Sequence, residues 1–211
     1  MAYNTATISS IPKPVSEDHI TRYIRLRLAA LKTNPEAFGS TFAADSTLSR
    51  EQWCGRINKP RTTFFATSVS SAIADISLER DAGSHLGSKW IGTLSLLEPE
   101  LVHDLPFPSK IAEAKDGGAE IYMLVGMWVD PEFRKKGVGG QLVEHALQAV
   151  RDFSVISSHQ NRGENDGRKR LVVLEVHNTN FVAQRLYESQ GFVVEPEVTK
   201  EGMKWMALNI I

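Results

Sequence analysis

The stretch VDPEFRKKGVGGQ, residues 129–141, joins an apolar segment to an amphipathic one and decides the fold. Residues 120–129 (EIYMLVGMWV) precede it and are apolar on both faces, as is typical of a central strand of a sheet. Pro131 then forces a turn. The residues after the turn recur at helical spacing: Val138, Leu142, Val143, Ala146, Leu147 and Val150. The pattern therefore predicts a buried strand, a tight turn and an amphipathic helix.

The turn itself has the features of an anion site. Gly137, Gly139 and Gly140 allow backbone N–H groups to approach a ligand without obstruction by side chains. The helix that follows offers unpaired N–H groups and about half a positive charge at its start. Three cations stand close by: Arg134, Lys135 and Lys136. Together these features predict a site for a pyrophosphate.

Two common glycine-rich motifs do not fit this turn. A P-loop requires a lysine after its last glycine, but Gln141 follows Gly140. A dinucleotide-binding turn requires Gly or Ala at position 142, where Leu142 stands. A tight turn without any ligand remains an alternative on this segment alone.

The rest of the chain predicts one α/β domain with a mixed sheet. Residues 1–15 are interpreted as an N-terminal arm and residues 16–211 as the domain. The predicted helices and strands are listed in chain order: a helix from Ser16 to about Lys32, a helix from Ser49 to before Pro60, strands at 62–69 and 89–97 joined by a polar stretch at 81–88, a surface loop at 98–118, the strand and helix on either side of residues 129–141, a flexible loop at 157–170, a strand at 171–176, a helix at 180–190 closed by Gly191, and an antiparallel pair at 192–194 and 203–210.

Composition excludes several classes of protein. Twenty-four basic and 25 acidic side chains give a net charge of −1, which argues against a nucleic-acid partner. Cys54 is the single cysteine, so an intrachain disulfide and a cysteine metal cage are excluded, and the histidines lack metal-ligand spacing; no metal is predicted. The N-terminus does not resemble a secretory signal and the apolar runs are short, so we expect a cytoplasmic location and no membrane partner.

Two motifs together resemble the GCN5-related N-acetyltransferase (GNAT) family. The first is Arg-x-x-Gly-x-Gly after a Val-x-Pro strand end, and its fixed positions fall on Arg134, Gly137 and Gly139. The second lies in residues 174–192 (LEVHNTNFVAQRLYESQGF), where its positions are filled by Asn180, Ala183, Tyr187, Gly191 and Phe192. The resemblance implies the GNAT fold, a single domain whose mixed, mostly antiparallel sheet is flanked by helices. It also implies acetyl-CoA as the co-substrate.

The resemblance implies that the amides of the glycine turn hold the pyrophosphate and that the backbone of the preceding strand holds the pantetheine arm. The residues expected to bind the cofactor are Met127, Trp128, Val129, Arg134, Lys135, Lys136, Gly137, Val138, Gly139, Gly140, Asn180 and Tyr187. Asn180 either caps its helix or turns its amide toward the cofactor. Tyr187 lies about two turns later on the same helix face, so its hydroxyl is either a proton donor to a thiolate or part of the core.

Acyl transfer to an amine also requires a base, because on the order of one alkyl amine in a thousand is unprotonated at neutral pH. Glu175 is the first candidate, since it interrupts an apolar strand and shares a face with His177. Glu120, at the start of the central strand, is the second. Either carboxylate can instead be a solvated charge at a strand end. Tyr187 is the candidate acid.

The function predicted from these residues is N-acetyl transfer from acetyl-CoA to a primary amine by direct attack in a ternary complex. A non-catalytic acyl-CoA-binding module and a nucleotide-binding protein are the alternatives, and longer acyl groups remain open. The acceptor is expected between residues 34–42 and 195–202. Four carboxylates there either favour a cationic amine or are simply solvated surface charges: Glu36, Glu195, Glu197 and Glu201. A small-molecule amine and a peptide or protein amine both remain open, as do a monomer and a homodimer.

Overall fold

The computed structural model describes residues 6–68, 88–160, 169–198 and 200–210. The strands are β1 (Ala6–Ser10), β2 (Arg61–Ser68), β3 (Trp90–Leu97), β4 (Glu120–Val129), β5 (Arg170–His177), β6 (Val193–Val194) and β7 (Met203–Ile210). The helices are α1 (Glu17–Thr33), α2 (Phe42–Ser46), α3 (Arg50–Asn58), α4 (Pro99–Val102), α5 (Ser109–Asp116), α6 (Val138–Gln160) and α7 (Phe181–Ser189). Short 3₁₀ turns lie at Pro35–Ala37 and Pro131–Phe133.

The described strands form one sheet in the order β1-β2-β3-β4-β5-β7-β6. Only β4 and β5 pair in parallel, and every other neighbouring pair in this part of the chain is antiparallel. The parallel pair requires a crossover, which α6 provides. The predicted mixed, mostly antiparallel sheet flanked by helices is confirmed.

Helices cover both faces of this sheet. On one face α6 buries its apolar stripe, with Leu142 and Val143 packed among residues such as Tyr122 and Leu124. The other face has two separate layers. Helices α1 and α3 cover the side of β2 and β3, while α4 and α5 bury Val102 and Ile111 against β4, β5 and β7. A cavity opens beside the first of these layers and is lined by residues of α1, α3, β2, β4 and β5.

The first helices begin where their sequences predict. The Ser16 side chain accepts a hydrogen bond from the backbone N–H of His19 and caps α1, whose first turn carries two acidic residues that favour the helix dipole. Ser49 and Gln52 form a reciprocal capping box at the start of α3. Local sequence is sufficient here because each cap bonds within its own first turn.

Residues 98–118 were predicted to be a surface loop, and this prediction is wrong. The segment contains α4 and α5, whose Val102 and Ile111 are about 1% exposed. Its prolines do not break these helices because Pro99 lies in the first turn of α4 and Pro108 caps α5. Proline at a helix start loses no hydrogen bond and already has a suitable φ angle.

The structure also modifies the predicted ends of two segments. Within the predicted N-terminal arm, Ala6–Ser10 pair with β2 as the edge strand β1; the division into residues 1–15 and 16–211 stays a prediction. Helix α6 continues to Gln160, into the predicted 157–170 loop, and residues 161–168 lie outside the described part of the chain, as do residues 81–87 of the other polar stretch. None of the described helices has the length and apolar character that a membrane span requires.

Candidate active site

The central feature of the site is an opening between β4 and β5. The two strands pair from Glu120 and Arg170 as far as Leu124 and Leu174, although β4 continues to Val129. Beyond that point the facing edges of the two strands have no partner strand among the described residues. Backbone amides and carbonyls along the opening are therefore available to a ligand.

A β-bulge in β4 produces this opening. Between the pairs Ser95↔Val125 and Thr93↔Trp128, β4 advances three residues while β3 advances two. Gly126 lies in the extra step and has a φ of 66°, a left-handed conformation that favours glycine. A bulge bends its strand and increases the local twist. Consequently β4 stays paired with β3 but turns away from β5.

The glycine turn lies at the end of this bent strand. Lys135 has a φ of 60° and Gly137 a φ of 81°, so the chain turns sharply into α6. Four successive N–H groups have no hydrogen-bond acceptor in the described part of the chain: those of Gly137, Val138, Gly139 and Gly140. Unpaired N–H groups at the start of a long helix favour an anion. The predicted pyrophosphate site therefore has the required backbone donors.

The glycines of this turn have different structural roles. A Cβ atom on Gly139 would lie 2.9 Å from Met127 Cε and 3.2 Å from Leu186 Cδ2, so this glycine allows α6 to pack closely on β4 and α7. A Cβ atom on Gly137 would meet nothing within 4 Å. Gly137 is thus required by its backbone conformation, and Gly139 by close packing within the protein.

The basic residues of the turn also differ in what they contact. Arg134 donates from Nε to the Val129 carbonyl (2.9 Å) and from Nη2 to Asn34 Oδ1 (2.5 Å). Asn34 Oδ1 also accepts from Trp128 Nε1 (3.1 Å), so it joins the end of α1 to β4 and the turn. The Lys136 ammonium lies 5.1 Å from the centre of the Phe133 ring. Arg134 therefore holds the turn in place, while Lys135 and Lys136 are exposed beside it.

A cavity of about 340 Å³ lies at the opening, and α7 forms one of its sides. Asn180 accepts from the Ala183 N–H (3.2 Å), which shows its capping role. Tyr187 is 6% exposed, packs edge-on against Phe192 and lines the cavity. In the described part of the chain its hydroxyl has no hydrogen-bond partner. Burial raises the pKa of Tyr187, so the phenol keeps its proton and can donate it.

The two candidate bases lie far apart. Glu175 follows the point where β5 separates from β4, and it lines the cavity. Glu120 lies at the opposite end of β4, five residues or about 16 Å before Val125. There it forms an ion pair with Arg170 (2.9 Å) and accepts from the Tyr122 hydroxyl (3.4 Å). The structure does not bring Glu120 to the cavity, because strand geometry separates the start of β4 from its bulge.

Sequence reasoning missed three arginines that line the cavity: Arg27 of α1, Arg56 of α3 and Arg61 of β2. Arg27 donates to Asp45 (3.2 Å) and to Ser40 (2.5 Å), and Arg56 also reaches Asp45 (3.4 Å). Arg61 is 7% exposed, and its buried Nε has no hydrogen-bond partner among the residues that the structure describes. Burial lowers the pKa of Arg61.

Helical and strand periodicity carried a signal for two of these arginines. Arg27 lies four residues after Tyr23 and four before Leu31, on the face of α1 that is buried. Arg61 alternates with Thr63 and Phe65 along β2, so it points to the face that α1 and α3 cover. A charged residue at a buried position of such a pattern is a candidate for a site.

The acidic residues expected to favour a cationic acceptor lie elsewhere. Glu195 is within 3.6 Å of Lys110, and Glu197 accepts from the Ser109 N–H (2.7 Å), so both contact the start of α5. Glu36 accepts from Asn34 (3.3 Å), and neither it nor Glu201 lines the cavity. The structure therefore does not bring these four carboxylates to the cavity, and the contacts with α5 account for two of them, Glu195 and Glu197. The described residues contain no group of three or more His, Cys, Asp or Glu side chains that could hold a metal ion.

Comparison with known proteins supports the same interpretation. Residues 109–194 match the family model of the acetyltransferase (GNAT) domain. The predicted GNAT resemblance is confirmed. The match covers the glycine turn, α6, β5 and α7, the elements that surround the opening. It indicates that the chain is an acyltransferase and that an acyl-CoA is its co-substrate. No curated protein matches the chain.

Solved structures share the GNAT fold at low identity. The GNAT domain of S. lividans PAT has a TM-score of 0.61 at 14% identity, over 97% of this chain and 90% of that one. A GNAT acetyltransferase from Streptococcus pneumoniae has a TM-score of 0.57 at 15% identity, over 97% and 99% of the two chains. Arabidopsis thaliana NAA60 in complex with acetyl-CoA has a TM-score of 0.56 at 15% identity, over 98% and 99%.

Proposed function

We propose that the protein transfers an acetyl group from acetyl-CoA to a primary amine by direct attack in a ternary complex. One observation carries the proposal: Tyr187, whose hydroxyl has no partner among the described residues, lines the cavity at the opening between β4 and β5, and β4 runs on from this opening to the turn before α6, where four N–H groups have no described acceptor. An anion site at one end and a proton donor at the other suit a CoA thioester. The complex of Arabidopsis NAA60 with acetyl-CoA shows that a protein of this fold binds that molecule.

The residues at the opening are suited to hold the co-substrate. The N–H groups of residues 137–140 would bind the pyrophosphate, with Lys135 and Lys136 nearby. The unpaired edge of β4 from Gly126 onward, with Met127, Trp128 and Val129, offers backbone groups to the pantetheine arm. Asn180 caps α7 and Arg134 fixes the turn, so these two act on the site through the protein.

The chemistry assigned to the protein uses two cavity residues. Acetyl-CoA, when bound, supplies an activated thioester. Glu175 accepts the proton of the attacking amine, directly or through water, and it suits this role because it has no ion-pair partner in the described part of the chain. Tyr187 donates its proton to the departing sulfur, and backbone N–H groups at the opening stabilise negative charge on the carbonyl oxygen.

Direct attack is favoured over a covalent acyl-enzyme. Cys54, the single cysteine, lies on α3 among residues packed against Trp53 and Ile57, and it does not line the cavity. Among the described lining residues, Ser40 is the one serine or threonine, and its hydroxyl accepts a hydrogen bond from the buried Arg27. Neither side chain stands beside a general base, as a catalytic nucleophile requires.

Calorimetric titration with acetyl-CoA, with ATP and NADH in parallel, tests the proposal. We expect saturable binding of acetyl-CoA alone, followed by thiol release when amines are supplied. Binding without turnover of any amine would favour a non-catalytic acyl-CoA-binding module. A folded protein that does not bind acetyl-CoA would exclude the transferase.

A matched pair of variants locates the pyrophosphate. Gly137→Asp and Gly137→Asn have the same shape and a similar tolerance of the left-handed backbone at φ 81°. Only the aspartate places a negative charge beside the N–H groups of α6. We expect Gly137→Asp to bind acetyl-CoA about 10-fold more weakly than Gly137→Asn. Equal affinities would place the pyrophosphate elsewhere.

A further inference from the structure

We infer that the acceptor is a small amine that carries its own carboxylate or phosphate group, and that Arg61 binds this anionic group. The inference rests on the proposed function and names the substrate class of the same cavity. Four cationic side chains line the cavity, Arg27, Arg56, Arg61 and Lys200, whereas Glu175 is the one carboxylate among the described lining residues. A cavity with this excess of positive charge favours an anionic ligand.

Protein contacts account for two of the arginines but not for the third. Asp45, itself 5% exposed, lies behind the cavity and accepts from both Arg27 and Arg56. The Arg61 side chain forms no hydrogen bond or ion pair with any residue of the chain that the structure describes. A buried charge without a counter-ion destabilises a fold. A guanidinium in this situation is expected to acquire its partner from a ligand.

Arg61 is positioned to reach a ligand whose amine lies near Glu175. In the sheet register Arg61 pairs with Leu97, Leu97 with Met123, and Met123 with Val173. The Cα atom of Arg61 therefore lies three strand spacings, about 14 Å, from the Cα atom of Val173, which is two positions before Glu175. Both side chains line the cavity between them, so the distance that a ligand must bridge is shorter than the separation of the Cα atoms.

The anion bound by Arg61 is distinct from the pyrophosphate of the co-substrate. Helix α6, which offers the N–H groups, packs on the face of the sheet that carries Leu124 and Val176. Arg61 pairs with Leu97 and Leu97 with Met123, so the three side chains share one face of the sheet. Met123 packs on the opposite face from α6, with Val173 and Trp205. The two anion sites thus lie on opposite faces of the sheet, as expected for a co-substrate and an acceptor that meet at the opening.

The chemistry of the side chain and the size of the cavity narrow the class of acceptor. The planar fork of a guanidinium matches the two oxygens of a carboxylate or phosphate. A volume of about 340 Å³ is in the range of small-molecule sites. An amino acid or an amino alcohol phosphate combines an amine and an oxyanion in a molecule of this size.

Matched amines test the inference in a thiol-release assay with acetyl-CoA. The panel consists of amino acids with their primary amides, phosphoethanolamine with ethanolamine, and polyamines and short peptides for comparison. In the wild type we expect kcat/KM for the anionic member of at least one pair to exceed that of its neutral partner by about 100-fold. The pair that shows the preference distinguishes a carboxylate from a phosphate.

Three substitutions assign the effect to Arg61. Arg61→Met should reduce the preference to near unity by lowering kcat/KM for the anionic member of the pair, and Arg61→Lys should retain part of the preference. Arg25→Met is the control, because Arg25 lies on α1 but is exposed. We also expect Arg61→Met to raise Tm by a few degrees, since it removes a buried unpaired charge, and to leave the affinity for acetyl-CoA unchanged.

Several results would overturn the inference while the proposed function stands. These are acetyl-CoA binding together with a preference for polyamines, peptides or neutral amines, or equal slowing of both members of a pair by Arg61→Met. A lower Tm for Arg61→Met would also overturn it by showing a structural role. Acetyl-CoA binding without turnover of any panel member would count against both the inference and the proposed function, because it favours a non-catalytic module. Failure of the wild type to bind acetyl-CoA would instead refute the proposed function and the inference with it.

Discussion

Removing the hydroxyl of Tyr187 should separate catalysis from stability. A buried tyrosine usually loses a hydrogen bond on substitution by phenylalanine, at a cost of about 1 kcal/mol. The Tyr187 hydroxyl has no such bond in the described part of the chain, and the ring contact with Phe192 would remain. We therefore expect Tyr187→Phe to change the free energy of unfolding by less than about 0.5 kcal/mol.

The same substitution should lower turnover strongly. Loss of a general acid reduces kcat by about 10²-fold or more, which corresponds to about 2.7 kcal/mol in the barrier. Affinity for acetyl-CoA should change little, because its proposed anchors are the N–H groups of α6. Urea unfolding, calorimetry with acetyl-CoA and steady-state thiol release measure the three quantities on the same preparation.

Tyr122→Phe provides the matched control. The Tyr122 hydroxyl donates to Glu120 (3.4 Å) at the end of β4 remote from the cavity. This variant should lose about 0.5–1 kcal/mol of stability and keep its kcat. An unchanged kcat in Tyr187→Phe would remove Tyr187 from the role of acid. A loss of 1 kcal/mol or more in its stability would contradict the unpartnered state of the hydroxyl.

Three further predictions concern the bases, the bulge and pH. Glu175→Gln should lower kcat by about 10²-fold. Glu120→Gln should keep its kcat but lose about 1–2 kcal/mol of unfolding free energy in urea, because it weakens the ion pair with the buried Arg170. The reverse pattern would exchange the roles of the two carboxylates. Gly126→Ala should cost about 1–2 kcal/mol at φ 66° and weaken acetyl-CoA binding in calorimetry, and unchanged affinity would show that the opening does not depend on the bulge. Burial raises the pKa of Tyr187 above its unfolded value of about 10, so its contribution to stability is complete below pH 10 and is lost as the pH rises further. Between pH 10 and 11 the wild type should therefore lose about 1 kcal/mol more in urea unfolding than Tyr187→Phe, and parallel losses would contradict this pKa.

Much of the fold could be predicted because its signals are local. Strands β4 and β7 and the starts of α1 and α3 lie where alternation, apolar runs and caps place them. The loop prediction for residues 98–118 was wrong because three prolines and a Gly-Gly pair are typical of a loop in sequence. A proline begins a helix when the residues after it can bury apolar side chains. For α4 and α5 that burial is against β4, β5 and β7, which are remote along the chain.

The candidate site was predictable only in part for a related reason. Residue types indicated the glycine turn, Asn180, Tyr187 and Glu175; the structure brings the last three to the cavity and places the glycine turn at the end of the bent strand β4. Residue types alone could not show that Glu120 lies at the far end of its strand. They also could not show that Arg134 bonds to Asn34, one hundred residues earlier in the chain.

By itself the sequence determined three features: the GNAT resemblance, the strand–turn–helix unit that offers N–H groups to an anion, and a tyrosine about two turns after Asn180 on the predicted 180–190 helix. These features depend on neighbours a few residues apart, whose backbone geometry local chemistry fixes. Tertiary structure alone decided the separation of β4 from β5 and the gathering of Arg27, Arg56 and Arg61 from three elements around one cavity. Strand register and the packing of α1 and α3 on the sheet set those distances, because they join residues that are remote along the chain.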